Sequence, residues 1–211
     1  MWLIGVAGVV VLGAVLWGAL VGNVEQPEYT VVESDGSIQI RDYPAMIVAE
    51  AEVTGEREKA INQGFRRIAG YIFGSNLSAQ KVAMTAPVTQ QALITEQAGE
   101  KIAMTAPVTQ QGAGNSWQVR FIMPASYTMD SLPRPKDPAV QLRQIASRRF
   151  AVIRFSGLAG EASLQRQTAQ LTRFLAARKL TAVSSPSYAF YDPPWTLPFM
   201  RRNEVMIEVS R

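Results

Sequence analysis

The sequence predicts an α+β domain in which two similarly ordered halves form one sheet or barrel with two helices on its outside. A strand, a helix and further strands follow one another twice, about half of the chain apart. Between residues 54 and 73 the apolar residues change from alternating spacing to helical spacing. A charge-free N-terminal run precedes both halves and predicts a membrane anchor outside this domain.

The N-terminal run has no charged residue from Trp2 to Gly22, and the first ionisable side chain is that of Glu25. A helix of this length spans about 31 Å, close to the hydrocarbon thickness of a bilayer. A cleaved signal peptide is less favoured, because no Lys or Arg precedes the run. We therefore predict a transmembrane anchor at residues 1–24 and one soluble domain at 25–211. Acidic residues after the anchor favour an extracytoplasmic, for example periplasmic, location of this domain.

The composition excludes several classes of site. The chain has no Cys and no His, so disulfides, thiolate nucleophiles, Ser-His-Asp triads, zinc sites built on these residues and His-ligated haem are ruled out. The formal net charge is +4 without a basic run of five or more residues. Nucleic-acid binding is therefore not indicated.

The first half carries clear element signals. Asp35-Gly36 between two β-rich stretches predicts a hairpin within residues 29–40, and Met46–Val53 is the next predicted strand. From Glu56 to Phe73 the spacing predicts a helix, with Thr54 as N-cap and Gly74 as C-cap. Its predicted apolar face consists of Ile61, Phe65, Ile68 and Ile72.

The second half repeats this order. Trp117–Met123 is a predicted strand, and the proline-rich residues 131–138 predict an extended connection. Phe150–Phe155 is the next strand, and a helical apolar pattern then runs through Lys179. Glu204–Val209 is the last predicted strand.

One segment occurs twice. Lys81–Gln91 reads KVAMTAPVTQQ and Lys101–Gln111 reads KIAMTAPVTQQ. These residue types suit shape and apolar contact rather than acid–base chemistry, and a proline inside a strand belongs at an edge or a bulge. The repeat therefore predicts two matched strands of the sheet or barrel wall.

Three motifs together resemble the SOUL haem-binding protein family. They are the tandem KxAMTAPV pair, WQVRFIMP at residues 117–124 and YDPPWTLPFMRRNEVMIEV at 191–209. The resemblance runs from Glu28 to Arg211, and the tandem pair is similar to bacterial and plant members. It implies a distorted antiparallel β-barrel of two similar halves with two flanking helices, and binding of haem or another tetrapyrrole.

The resemblance also implies a shallow apolar groove beside the first helix, with basic side chains near the propionates of the ring. Trp195 either covers a planar ligand or plugs the barrel end, and Arg201 either contacts the ligand or, with Arg202, helps to fix the last strand through Glu204. The candidate contacts are Phe65, Arg66, Arg67, Ile68, Tyr71, Trp195, Phe199 and Arg201.

Few iron ligands are available to such a site. The thioethers of Met84 and Met104 could pack on a porphyrin or ligate iron weakly, and a Tyr would need a lowered pKa to ligate as phenolate. We therefore expect weak haem binding by a membrane-anchored carrier or buffer that is not an enzyme and has no metal site of its own. An interaction domain that no longer binds haem is the alternative, and a haem-dependent oxygenase is the least favoured.

Overall fold

The computed structural model of the chain describes residues 24–77, 99–113, 115–193 and 195–210. The predicted anchor, apart from Val24, and the first copy of the repeat, including Met84, lie outside these residues. Across the described ranges, neither helix is long and apolar enough to cross a membrane.

The described elements are eleven strands, two α-helices and one 3₁₀ turn. The strands are β1 (Thr30–Asp35), β2 (Ile38–Tyr43), β3 (Met46–Thr54), β4 (Asn76–Leu77), β5 (Val108–Ala113), β6 (Ser116–Ile122), β7 (Arg134–Pro135), β8 (Val140–Ile145), β9 (Arg148–Phe155), β10 (Ser187–Phe190) and β11 (Asn203–Glu208). The helices are α1 (Arg57–Ile72) and α2 (Glu161–Ala177), and the 3₁₀ turn is Pro198–Met200.

Nine strands form one antiparallel sheet in the order β1-β2-β9-β11-β10-β5-β6-β3-β8, while β4 pairs with β7. From β2 to β8 this order is symmetric about the β10–β5 pair. The first strand of each half, β2 or β8, pairs with the second strand of the other half, β9 or β3. The predicted order of two similar halves therefore agrees with the topology.

The sheet is curled but open. Side chains from strands near both ends of the order line a common cavity on the face opposite the helices, so this face is concave. In the described part of the chain, β1 and β8 remain as edges. The sheet is thus a half-barrel rather than the predicted barrel. Its edge strand β8 was not predicted by any sequence pattern.

Local signals were mostly correct, with corrections at both ends of α1. Its C-cap is Phe73, and the predicted C-cap Gly74 follows with a φ of +113°. The predicted hairpin is β1–β2, and Gly36 takes a φ of +58° in its turn. The predicted N-cap Thr54 instead ends β3. The cap is Glu56, whose carboxylate accepts the N–H groups of Glu58 and Lys59 at 3.0 and 3.3 Å, which lowers the pKa of Glu56.

The buried face of α1 differs from the predicted one. Ile68 and Ile72 are buried as expected, but Phe65 is 39% exposed. Small residues complete the face: Ala60 is buried, and Gly64 lies so close to β6 that a Cβ there would be 2.7 Å from Val119 Cγ2. The helix therefore approaches the sheet along its smallest side chains.

Two apolar cores lie on the helix face of the sheet. Helix α1 packs on β3 and β6, and α2 packs on β9 and β11. The central strands β5 and β10 lie between these two cores. We call the helix-side surface of β5 and β10, between the two cores, the seam.

Candidate functional site

The seam has a partly apolar floor. Val108 on β5 is the register partner of both Phe121 and Phe190, and Gln110 is the partner of Tyr188. Partners across antiparallel strands point to the same face, and Phe121 belongs to the core beneath α1. Val108 and Phe190 are half-buried, so the floor between the two cores keeps some apolar surface open.

A cation lies near one end of the seam. Arg57, in the first turn of α1, has its guanidinium carbon 5.8 Å from the ring centre of Trp117 and 5.6 Å from that of Tyr188. Its Nη2 donates to Gln110 Oε1 at 3.2 Å, while its buried Nε has no hydrogen-bond partner among the described residues. The ion pairs found in those residues leave Arg57 without a carboxylate. Arg57 can therefore accept an anionic group from a ligand.

The predicted helix residues are split between surface and core. The Phe65 ring lies 5.2 Å from that of Phe121, and Arg66 is exposed. Arg67 faces Asp137 at 4.0 Å. Ile68 and Tyr71 are 0% and 1% exposed, and the Tyr71 hydroxyl donates to the Pro133 carbonyl at 2.9 Å. In this structure the side chains of Ile68 and Tyr71 have no free surface for a ligand.

The predicted loop residues lie at the other end of the seam. Trp195 and Phe199 are 71% and 73% exposed and follow Phe190, the last residue of β10. Met104, which is 41% exposed, precedes β5 at the same end of the sheet. Phe65 is linked to this end through Phe121 and its partner Val108. Phe65, Met104 and the loop therefore lie on segments that neighbour one another at this end of the seam. The sequence alone could not establish this proximity.

The two arginines after the loop have separate partners. Arg201 Nε donates to the Thr196 carbonyl at 2.7 Å. Arg202 Nη2 donates to Glu204 Oε1 at 2.8 Å, and Glu204, fully buried, also pairs with Arg41 at 3.0 Å. The ion pair that fixes the last strand therefore comes from Arg202, whereas Arg201 shapes the loop.

Buried tyrosines are poor candidates for iron ligation. Burial raises the pKa of Tyr43 to about 12. Burial and the neighbouring Glu204 raise the pKa of Tyr191, and burial raises that of Tyr71. Since a phenolate is the ligating form, these shifts oppose ligation. Of the two methionines predicted as soft ligands, Met104 is described, and the residue is exposed.

The concave face holds a separate cavity, which opens to solvent. Its apolar lining includes Met46, Phe150 and Met206. Its charges are paired, because Arg120 bonds Glu50 and Arg148 bonds Glu208, both at 2.8 Å. None of the predicted site residues that the structure describes lines this cavity.

Sequence reasoning missed the floor of the seam and Arg57. No sequence signal sets Arg57 apart from the other arginines of α1, because spacing along a helix does not reveal that its first turn lies over the central strands. Val108 carried no signal beyond β propensity. A cation without a carboxylate partner is visible only once the ion pairs are known.

Comparison with known proteins covers nearly the whole domain. Heme-binding protein 1 of Xenopus tropicalis is 28% identical over 192 residues, covering 89% of this chain and 93% of that protein. Heme-binding protein 2 of Mus musculus is 27% identical over 176 residues, covering 82% and 78%.

Solved structures share the fold at low identity. The C-terminal domain of EcmrR has a TM-score of 0.56 at 11% identity, covering 87% of this chain and 98% of that one. A structure described as a hydrolase from Listeria innocua has a TM-score of 0.50 at 14% identity, covering 89% and 93%. These likenesses concern the fold alone. The sequence itself matches the family described as SOUL heme-binding protein over residues 24–208, and the chain therefore belongs to that family.

Proposed function

We propose that this protein binds haem or a related tetrapyrrole without catalysing a reaction, as a carrier or buffer. The observation that carries the proposal is the family match over residues 24–208, together with relatives named Heme-binding protein 1 and 2. The chemistry of the seam supports the proposal, since it combines exposed aromatic side chains with a cation that lacks a carboxylate.

The described residues fit a tetrapyrrole held by its ring and its acid groups rather than through iron. Phe65, Trp195 and Phe199 offer apolar faces to a planar ring, and Arg57 offers a guanidinium to a carboxylate. Along α1, Arg57 and Phe65 are separated by about 12 Å, which a large flat ligand can bridge. Haem would supply redox and ligand-binding chemistry at its iron. A weak, replaceable iron ligand such as Met104 suits a carrier.

The charge-free run ahead of the domain supports a membrane location. Residues 1–24 would form a single transmembrane anchor, and the domain would lie on the extracytoplasmic side. Protease treatment of intact spheroplasts tests the side: an extracytoplasmic domain is degraded, whereas a cytoplasmic one survives until the membrane is opened.

Haemin titration of the full chain in lipid nanodiscs tests the binding. We expect a saturable Soret shift at micromolar haemin and quenching of the tryptophans. Phe65→Ser and Arg57→Gln should weaken binding severalfold relative to matched controls, Val183→Ser for an exposed apolar residue and Arg173→Gln for an exposed helical arginine. If wild type shows no saturation above empty nanodiscs, tetrapyrrole binding is excluded.

A second candidate is an interaction domain that has lost the tetrapyrrole site. The observation that favours it is the burial of Ile68 and Tyr71, which fill the core where the predicted groove required open surface. An absent Soret response would support this candidate. Saturable binding that depends on Arg57 would eliminate it.

A further inference from the structure

The point where the chain enters the domain is fixed at one end of the sheet. The Glu25 carbonyl accepts the Ala106 N–H at 2.9 Å, and its carboxylate accepts the Ala125 N–H at 2.7 Å. Arg202 Nη1 donates to Gln26 Oε1 at 3.0 Å. Residues 25 and 26 are therefore held against the segments that precede β5, follow β6 and precede β11.

This entry point cannot lie far from the N-terminal apolar run. Gly22 is the last residue of the run, and Gln26 is four residues later. A fully extended chain covers at most about 14 Å over four residues. If residues 1–24 anchor the protein as proposed above, the end of the sheet that carries Gln26 and Arg202 must lie close to the bilayer surface.

The same end of the domain exposes a cluster of large apolar side chains. The loop between β10 and β11 ends at Arg202, the residue bonded to Gln26, and Gly157 N–H donates to Pro198 O at 2.9 Å, which joins the segment after β9 to this loop. The exposed side chains, named here the apolar end, are Leu158 (64%), Trp195 (71%), Leu197 (54%), Phe199 (73%) and Met200 (51%).

The loop is held open by its own hydrogen bonds. Thr196 N–H donates to Pro193 O at 3.0 Å, and Met200 N–H donates to Leu197 O at 2.9 Å. Arg201 adds a backbone bond to Pro198 O at 3.1 Å and its side-chain bond to Thr196 O. The apolar side chains are therefore exposed on a bonded framework, and several large exposed apolar side chains on linked segments are typical of an interaction site.

We propose that the apolar end is a membrane-docking surface, which inserts into the headgroup region of the bilayer beside the anchor. The proposal rests on the anchor proposed above. Trp and Phe favour the membrane interface, and a short tether gives the surface a high effective concentration at the lipid. No acidic residue lies between Trp195 and Arg202. Arg201 borders the surface and favours anionic headgroups, whereas Arg202 is paired with the buried Glu204. Docking accounts for the exposure of Leu158, Leu197 and Met200, which the proposed tetrapyrrole site does not use.

The absence of Cys from the sequence allows a clean test by single-site labelling. The full chain is prepared as Leu197→Cys, Leu158→Cys and Val183→Cys, labelled with an environment-sensitive NBD fluorophore and reconstituted into phosphatidylcholine–phosphatidylglycerol liposomes. Val183 is the matched control, because it is 56% exposed and bonds Glu208, at the opposite end of β11 from the loop.

We expect doxyl-labelled acyl chains to quench the probes at positions 197 and 158 at least threefold more than the probe at 183. Aqueous iodide should quench in the reverse order. Equal iodide quenching at 197 and 183 would overturn the docking surface. So would a probe at 197 that responds to added haemin but not to doxyl lipid, since the surface would then serve the ligand.

Flotation separates the failure of docking from the failure of the anchor. A separate aliquot of the liposomes is washed in alkaline carbonate and floated, so that the fluorescence is measured on untreated protein. If the chain floats and the probe at 197 stays in water, docking is wrong and the anchor stands. If the chain is stripped from the liposomes, the anchor is wrong and the docking surface falls with it.

Discussion

Replacing Gly64 tests how closely α1 approaches the sheet. An Ala side chain at this position would place its Cβ 2.7 Å from Val119 Cγ2 and 3.0 Å from Val119 Cβ. Val119 is fully buried, so it has little room to move, and overpacking of this kind costs about 1–3 kcal/mol. Ala also favours a helix interior over Gly by about 1 kcal/mol. We expect Gly64→Ala to range from neutral to about 2 kcal/mol less stable than wild type.

Gly70 supplies a matched control on the same helix. A Cβ there meets Ser75 Oγ at 3.8 Å, an ordinary contact, so Gly70→Ala keeps the gain in helix propensity without the clash. The two variants should differ by about 1–3 kcal/mol in unfolding free energy, with about 2–4 °C in Tm for each kcal/mol. Urea and thermal unfolding followed by circular dichroism measure this difference. If Gly64→Ala is as stable as Gly70→Ala, the close packing inferred from the structure is refuted.

Three further predictions concern buried polar groups. Glu204→Gln leaves Arg41 and Arg202 without their carboxylate and should lower the free energy of unfolding, measured in urea, by about 3–5 kcal/mol. The control is Glu33→Gln, at an exposed pair with Arg178, which should cost under about 1 kcal/mol. Equal losses would contradict the role of Glu204 in fixing the last strand. Since folding raises the pKa of Tyr43 from 10.0 to about 12, its contribution to stability is complete below the unfolded value and is lost as pH rises through the folded one. As pH rises from 10.0 to about 12, the urea concentration at the unfolding midpoint should therefore decrease, and it should decrease less steeply in Tyr43→Phe. Parallel pH profiles of the two proteins would argue against Tyr43 as the source of the decrease. Tyr71→Phe leaves the buried Pro133 carbonyl unpaired and should cost about 1–3 kcal/mol, while the haemin affinity of the folded variant stays unchanged; a severalfold loss of affinity would restore Tyr71 to the ligand site.

Local chemistry made much of the fold predictable. The Asp35-Gly36 turn, strand β3 and helix α1 each follow from residues that are neighbours in sequence. The face of α1 was harder to predict, because an apolar pattern gives weight to Phe65 and none to Gly64. The structure reverses the two, since a small residue that allows close approach lies in the contact while the larger one stays partly exposed.

The candidate site was predictable only in part, because it depends on long-range pairing. The loop residues Trp195 and Phe199 are exposed, as a contact surface requires. The separation of Phe65 from Ile68 and Tyr71, and the position of Arg57 over the central strands, depend on the order of strands from opposite halves. Spacing along one helix carries no information about that order.

The place of β11 in the sheet has a consequence for synthesis on the ribosome. This strand is the last to be made, yet it lies between β9 and β10, and β2 must wait for β9, which follows it by more than a hundred residues. Until Asn203–Glu208 emerge, β9 and β10 lack the strand that lies between them, and the core beneath α2, which includes Val205 and Ile207, cannot close. A product that stops short of these residues should therefore be a substrate for chaperones and proteases rather than a shortened but folded domain.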